Sequence, residues 1–293
     1  MSLTTIALQV LINGLILGCM YGVAAIGLSL IFGSMRIIFI AQGDVIVLAA
    51  YIIFVLFRWL GLDPIICMFP CIIMFMIFGW LLYKGMFQRT SGESQNSSML
   101  LAFGLMVVLE SMMSIIWSPN PRAITAVYTN VSIALGSVNI TVTGLITIAL
   151  GAVATFVVWL FLSRTIWGKA VRGASEDMTA ASLLGISPVQ ISAITFAIGI
   201  GLAAVAGLAT SINYAFNPYF GFTFSLKAMI AVAFGGLGSV PGAVLGGIIL
   251  GLLEAVSSYV VGPGWADAVT YVIFLLVIIF LPSGLFGRTI KKA

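Results

Sequence analysis

No charged residue interrupts the chain between Ile6 and Ser34. As a helix those 29 residues would cover roughly 43 Å, more than the ~30 Å hydrocarbon layer of a bilayer requires, so the helix must tilt, bend or protrude. The run holds no Lys or Arg before Arg36 and far exceeds the apolar core of a signal peptide, so it reads as a retained span. The rest of the chain follows the same rule: 62% of its residues are hydrophobic and 7% charged, where soluble domains carry about a quarter charged residues. A lipid bilayer is the implied solvent. Twelve Lys and Arg against eight Asp and Glu leave only +4, without the basic concentration a nucleic-acid partner demands.

Seven further apolar stretches are long enough to cross, at 37–57, 64–83, 97–117, 140–163, 188–213, 241–261 and 266–281. Between the sixth and seventh crossings, Ser225 to Gly236 is too short to cross and reads as a half-helix or re-entrant piece. The expected fold is therefore all-α and polytopic, about eight transmembrane helices plus that half-helix, forming one membrane domain over residues 1–293. Counting the half-helix as a passage, with the N-terminus outside, gathers Arg36, Lys84, Arg89, Arg164, Lys169, Arg172, Arg288, Lys291 and Lys292 on one side. The positive-inside bias makes that side, with the C-terminus, cytoplasmic. Arg58, Arg122 and Lys227 are left for the opposite face. The connections 118–139 and 214–223 then fall outside, and 164–187 inside.

The chemistry available is narrow. The chain has no His, and its three Cys (Cys19, Cys67, Cys71) lie in apolar runs, which removes His catalysis, His-Cys metal sites and a disulfide framework. No cofactor is implied, and no nucleophile stands beside a base as an intramembrane enzyme would need. Three acids, Asp44, Glu110 and Glu254, fall within spans; an intramembrane carboxylate costs about 2.5 kcal/mol or more if left charged and alone, so each is a transport-path candidate or a buried structural contact. An ion-coupled carrier built on these acids is one reading of the sequence.

Around Pro241 the chain is rich in glycine: Gly235, Gly236, Gly238, Gly242, Gly246 and Gly247. Proline removes a backbone donor and breaks a continuous helix here. The freed backbone at membrane depth must be satisfied by protein, water or substrate. A helix starting at Pro241 offers unpaired N–H groups and a partial positive end to an anionic group; close helix packing is the alternative. Gly236, Gly238, Ser239, Pro241 and Gly242 are accordingly candidate translocation-path residues in a broken region at 225–247, together with Gln42 and Asp44. The Lys-Ser/Thr ending of a Walker motif is missing, so nucleotide hydrolysis belongs elsewhere.

Within the inside connection, Gly168 to Gly185 is amphipathic enough for a short helix, with Arg172, Glu176 and Asp177 wet, Ala170, Ala174, Ala180, Ala181, Leu183 and Leu184 offering small or apolar contacts, and Gly185 stopping the helix before Pro188. Thr179-Ala180-Ala181 followed by Gly185 resembles the Glu-Ala-Ala-x-x-x-Gly coupling loop of ABC importer permeases, with Thr in place of Glu. Three further blocks resemble the branched-chain amino acid class of that family: Arg36-Ile37-Ile38 with Ala41-Gln42-Gly43-Asp44; Asn217-Pro218-Tyr219 through Lys227 to Gly235-Gly236-Leu237-Gly238-Ser239-Val240-Pro241-Gly242; and Pro282-Ser283-Gly284-Leu285-Phe286-Gly287-Arg288. The chain departs from the family at Phe39, Ile40 and Gln42, where Asn, Phe and His are usual.

That resemblance implies a non-catalytic permease subunit in a bacterial cytoplasmic membrane, carrying branched-chain or other hydrophobic amino acids. An amide or urea permease of the same architecture is the alternative. It further implies two cytoplasmic ATPase subunits, a second permease chain, identical or paralogous, and an extracytoplasmic substrate-binding protein. Gly168, Arg172, Glu176, Asp177, Ala180, Ala181, Leu184 and Gly185 would form the surface through which the ATPase is coupled.

Overall fold

The computed structural model describes residues 3–90, 95–135, 138–280 and 284. Helix α1 (Leu3–Met35) has the length the uncharged run demands. It is followed by α2 (Gln42–Leu60), α3 (Pro64–Leu82), a π turn at Tyr83–Phe87, the single turn α4 (Gln88–Thr90) and α5 (Gln95–Trp117). A two-stranded hairpin comes next, with β1 (Ser132–Leu135) antiparallel to β2 (Val138–Thr141). Then come α6 (Val142–Arg164), α7 (Ile166–Glu176), α8 (Met178–Leu183), α9 (Pro188–Asn213), α10 (Phe220–Gly235), α11 (Val240–Val261) and α12 (Pro263–Phe280). Among the described residues, eight helical runs are long and apolar enough to cross a membrane, and α10 falls in the shorter class. The protein is an all-α polytopic membrane protein.

Burial sorts the helices into layers. In their most apolar windows α9 is 89% buried and α1 78%, against 22% for α6 and 11% for α12. The first two form the centre, and the others turn apolar faces outward, as lipid permits. α9 packs against α1, α2 and α3, and α1 also packs against α6, α10 and α11. The α1–α11 seam is set by small residues: a Cβ on Gly18 would lie 2.6 Å from the Cα of Ile248, and one on Gly251 would collide with the backbone of Gly18. Gly14, Gly18 and Gly22 recur every four residues on α1, the spacing that puts them on one face and lets two backbones approach.

Three departures from the sequence pattern matter. The second span does not begin at Ile37: Arg36 adopts φ 54°, and the chain stays non-helical to Ala41. Phe39 buries itself there against Phe196 and Phe87, with ring centroids 5.1 and 5.8 Å away. The half-helix is longer than expected, running from Phe220 rather than Ser225. The connection after α5 holds the β-hairpin, whose Asn139 backbone is clasped by Gln9 of α1 at 2.9 and 3.0 Å.

The bundle has two distinguishable ends. One carries the hairpin, the Arg122 guanidinium bonded to the Trp117 carbonyl at 2.7 Å, and the Tyr128 hydroxyl donating to Asp63 at 3.1 Å. Burial and the neighbouring Asp63 carboxylate hold the Tyr128 phenol above its ordinary pKa, so it stays a donor. The other end carries α7 and α8; there a Cβ on Gly33 of α1 would meet Gly238 at 3.5 Å and Ser175 at 3.7 Å.

The seam predicts that Gly251→Val, which drives a branched side chain into the α1 backbone, destabilises the detergent-extracted protein by about 1–3 kcal/mol. Gly173→Ala, where nothing lies within 4 Å, should leave the melting temperature unchanged or raise it; thermal unfolding followed by size-exclusion chromatography reads both.

Candidate translocation site and coupling segment

The first turns of α2 and α10 cross at contact distance. The amide of Gly43 donates to the Ser225 hydroxyl at 2.8 Å, and that hydroxyl donates to the carbonyl of Ile40. A side chain on Gly43 would collide with the carbonyl of Gly221, and one on Gly221 with the Asp44 carboxylate. Only glycine fits at either place. Asp44 and Gln42 are fully buried here. Gln42 Nε2 donates to the carbonyl of Gly199, near the middle of α9, at 3.3 Å. Both Asp44 oxygens and Gln42 Oε1 lack a hydrogen-bond partner among the described residues. Asp44 stands in the first turn of α2 and beside the first turn of α10, so two helix N-termini, each worth roughly half a positive charge, face one carboxylate. No cation stands against this acid among the described residues, and neither helix end donates a hydrogen bond to it.

The other end of α10 is the glycine turn. Gly236 and Gly238 have φ of 89° and 82°, values that favour glycine, and they reverse the chain between α10 and α11. Ser239 caps α11 by accepting from the amide of Gly242 at 3.3 Å. Gly242 packs backbone to backbone on Gly235. Gly236 and Gly242 are buried, whereas Gly238 and Pro241 are exposed. Pro241 shares with Arg172, Cys19, Gly22 and Trp159 an open groove of about 590 Å³ between α1, α6 and α11. With 16 residues, α10 is about 24 Å long. The candidate path residues therefore divide into two groups, Gln42 and Asp44 at its start and 236–242 at its end. Glu110 lies half-buried on α5, close enough to Asp44 for the two acidic side chains to act on each other.

The segment after α6 forms two helices rather than one. Thr165 caps α7 by accepting from the amide of Gly168 at 2.9 Å. A side chain on Gly168 would collide with the carbonyl of Phe161, so this glycine lets α7 fold back onto α6. Val171, Ala174 and Ala181 face the protein; Arg172, Glu176, Asp177, Ala180, Leu184 and Gly185 face outward. Asp177 ends α7 and caps α8, accepting from Thr179 and Ala180 at 2.8 and 3.0 Å. Gly185, at φ 82°, terminates it. Leu183 and Leu184 are 85% and 82% exposed, two large uncovered apolar side chains beside a charged surface, the pattern of a docking contact.

One cluster was not legible in the chain. Lys227 is not on a face of the molecule: it is buried on α10, with Nζ 2.8 Å from Glu254 Oε1 of α11, 2.9 Å from Asp267 Oδ1 of α12 and 3.1 Å from the Tyr21 hydroxyl of α1. The Tyr21 hydroxyl also donates to Glu254 Oε1 at 3.1 Å. The only sequence signal was a lone cation inside an apolar segment, which must find carboxylates somewhere.

A bundle of apolar helices, one of them a buried half-helix, with an exposed amphipathic segment at one end, defines a multi-pass membrane protein. Residues 10–281 match the family described as branched-chain amino acid transport system, permease component, and the chain belongs to that family. It is 34% identical to the high-affinity branched-chain amino acid transport system permease protein BraD of Pseudomonas aeruginosa, with 96% of each chain covered. It is 31% identical to LivH of Salmonella typhimurium and 30% identical to LivH of Escherichia coli K12, each named as a permease protein of the same kind of system, again with 96% of both chains covered. The protein is thus a multi-pass transport component of the cytoplasmic membrane.

Removing the cation from the cluster strands two carboxylates. Lys227→Met should cost about 3–5 kcal/mol, the range for breaking a buried pair on one side. Asp267→Asn, at a side chain 46% exposed, should cost under about 1 kcal/mol. Melting of the purified variants measures the difference.

Proposed function

We propose that the chain is the permease subunit of an ATP-binding-cassette importer, forming with a second permease chain, identical or paralogous, the path for branched-chain or other hydrophobic amino acids. Residues 1–293 act as one membrane domain, with the N-terminus outside and the C-terminus in the cytoplasm. An extracytoplasmic binding protein delivers substrate at the hairpin end, and two cytoplasmic ATPase subunits grip α7 and α8. ATP is hydrolysed by those subunits and not by this chain. The distribution of basic side chains supports the orientation: Arg36, Lys84, Arg89, Arg164, Lys169 and Arg172 cluster toward the α7 end, where positive residues accumulate on the cytoplasmic side.

The observation that carries the reading is the exposed surface of α7–α8. Arg172, Glu176 and Asp177 orient it, and Ala180, Leu184 and Gly185 supply its contacts. Gly168, Ala174 and Ala181 hold it to the bundle, so a push on α7 is passed to α6 and, through the Gly33 contact, to α1 and the glycine turn. Closure of the ATPases on nucleotide then rocks the helices between outward and inward access. The path follows the broken helices, past Gln42 and Asp44 at the start of α10 and past Gly236, Gly238, Ser239, Pro241 and Gly242 at its end.

The test is ATP-dependent leucine uptake by the reconstituted complex. Ala180→Asp with Leu184→Asp, both at exposed positions, should leave the permease folded, release the ATPase on co-purification and lower uptake at least tenfold. Unchanged association and uptake would refute the coupling role; uptake of urea in place of leucine would move the substrate to the amide class.

A further inference from the structure

The Lys227 cluster has an uneven charge count, with one ammonium against the Glu254 and Asp267 carboxylates. Its two arms differ in access. Glu254 is 14% exposed at the side chain and Asp267 46%, so the arm to α12 is the one a solute reaches and the one water weakens. Glu254 Oε2 is buried and has no hydrogen-bond partner among the described residues, leaving an acceptor in place for one more donor. Asp267 lies four residues into α12 from Pro263, about 6 Å along the helix, near the hairpin end of the bundle. An apolar groove of about 460 Å³ between α1, α10 and α12, lined by Leu226, Met229 and Ile230 on one wall and Tyr271, Phe274 and Leu275 on another, reaches the cluster at Tyr271, which is near enough to feel the Asp267 charge. Leu226 adjoins Lys227 in the chain, and Tyr271 is one turn beyond Asp267.

A solute that matches this arrangement carries a cation and an anion on one carbon and an aliphatic tail. We propose that the cluster is a recognition site for a free α-amino acid zwitterion, and that binding exchanges ion-pair partners: the substrate carboxylate takes the place of Asp267 on Lys227, while its ammonium bridges Asp267 and Glu254 Oε2. The aliphatic side chain enters the groove. Every formal charge keeps an opposite neighbour, which makes the exchange affordable in a low-dielectric site. The Lys227–Glu254 arm stays closed, and the tie between α10 and α12 opens. The site is thereby also a latch, since only a ligand that interacts differently with the closed and open states shifts their balance. A molecule with one charge fails for a stated reason: an amine neutralises the spare carboxylate without competing for Lys227, and a carboxylate alone frees Asp267 with nothing to meet it.

The inference rests on amino-acid transport as the function, and the two are tested apart. In the assembled complex with Cys19, Cys67 and Cys71 replaced by Ser, the pair Met229→Cys and Leu275→Cys reports the α10–α12 gap through a short bifunctional thiol reagent. Saturating leucine should lower bridging at least threefold; isopentylamine and 4-methylpentanoate should leave it unchanged. Asp267→Asn should abolish the leucine response and Asp267→Glu restore it, which a merely structural role would not produce. No leucine effect, an equal effect of either single-charge analogue, or a full response in Asp267→Asn overturns the proposal. Leucine uptake by the same complex reads the other question: uptake without any change in bridging refutes the latch and leaves import standing, whereas a zwitterion-specific change without uptake refutes import and upholds the site.

Discussion

A helix too short to cross a bilayer leaves at least one end inside it, where backbone groups meet hydrocarbon that cannot satisfy them. α10 is that helix, and the architecture is arranged around holding it. Its first turn is pressed onto the first turn of α2 by Gly43, Gly221 and Ser225. Its last turn closes through Gly235, Gly236 and the Ser239 cap of α11. Its middle is tied by Lys227 to α1, α11 and α12. The long central helices supply the wall against which these contacts are made, which is why α9 and the C-terminal half of α1 are buried while α6 and α12 face outward.

The polar groups in this interior are handled by two different physical devices. At Asp44 the carboxyl group sits between the first turns of α2 and α10, whose partial positive ends are the only favourable charge beside it among the described residues. At Glu254 and Asp267 the charge comes from a side chain, and a flexible one. A pair of helix dipoles is fixed in the fold and rigid; a lysine on a four-carbon stem can change partners. The first device keeps its geometry, and the second can exchange partners. α7 and α8 stand at the far end of the same chain of contacts, joined through Gly33 to the turn that closes α10.

The spans were legible because apolar length is a strong signal, and so was the interruption near Pro241, because proline and glycine leave a mark in any sequence. The start of α2 was not. Ile37 to Ala41 is as apolar as the helix that follows, and only the tertiary pocket formed by Phe87 and Phe196 shows why Phe39 leaves the helix. The hairpin leaves no mark in the sequence, since each strand is four residues long, too short for period-two alternation to speak. Asp44 and Glu254 stood out as acids within apolar runs, but Asp267 sits near a helix end where charge is unremarkable, and its pairing with Lys227 joins residues forty positions apart. Gly168 was readable as part of an outward surface, yet its place against Phe161 makes it the hinge that seats α7.

If α10 is one downward passage, held at both ends, then the turn after it must lie on the same side of the membrane as α8. Single cysteines at Leu237, Leu184 and Val127, exposed by 58%, 82% and 98%, read this with a membrane-impermeant thiol reagent. Leu237→Cys and Leu184→Cys should label only in inside-out vesicles, and Val127→Cys only in intact cells. Labelling of Leu237→Cys from the Val127 side would make α10 a re-entrant hairpin and contradict the account.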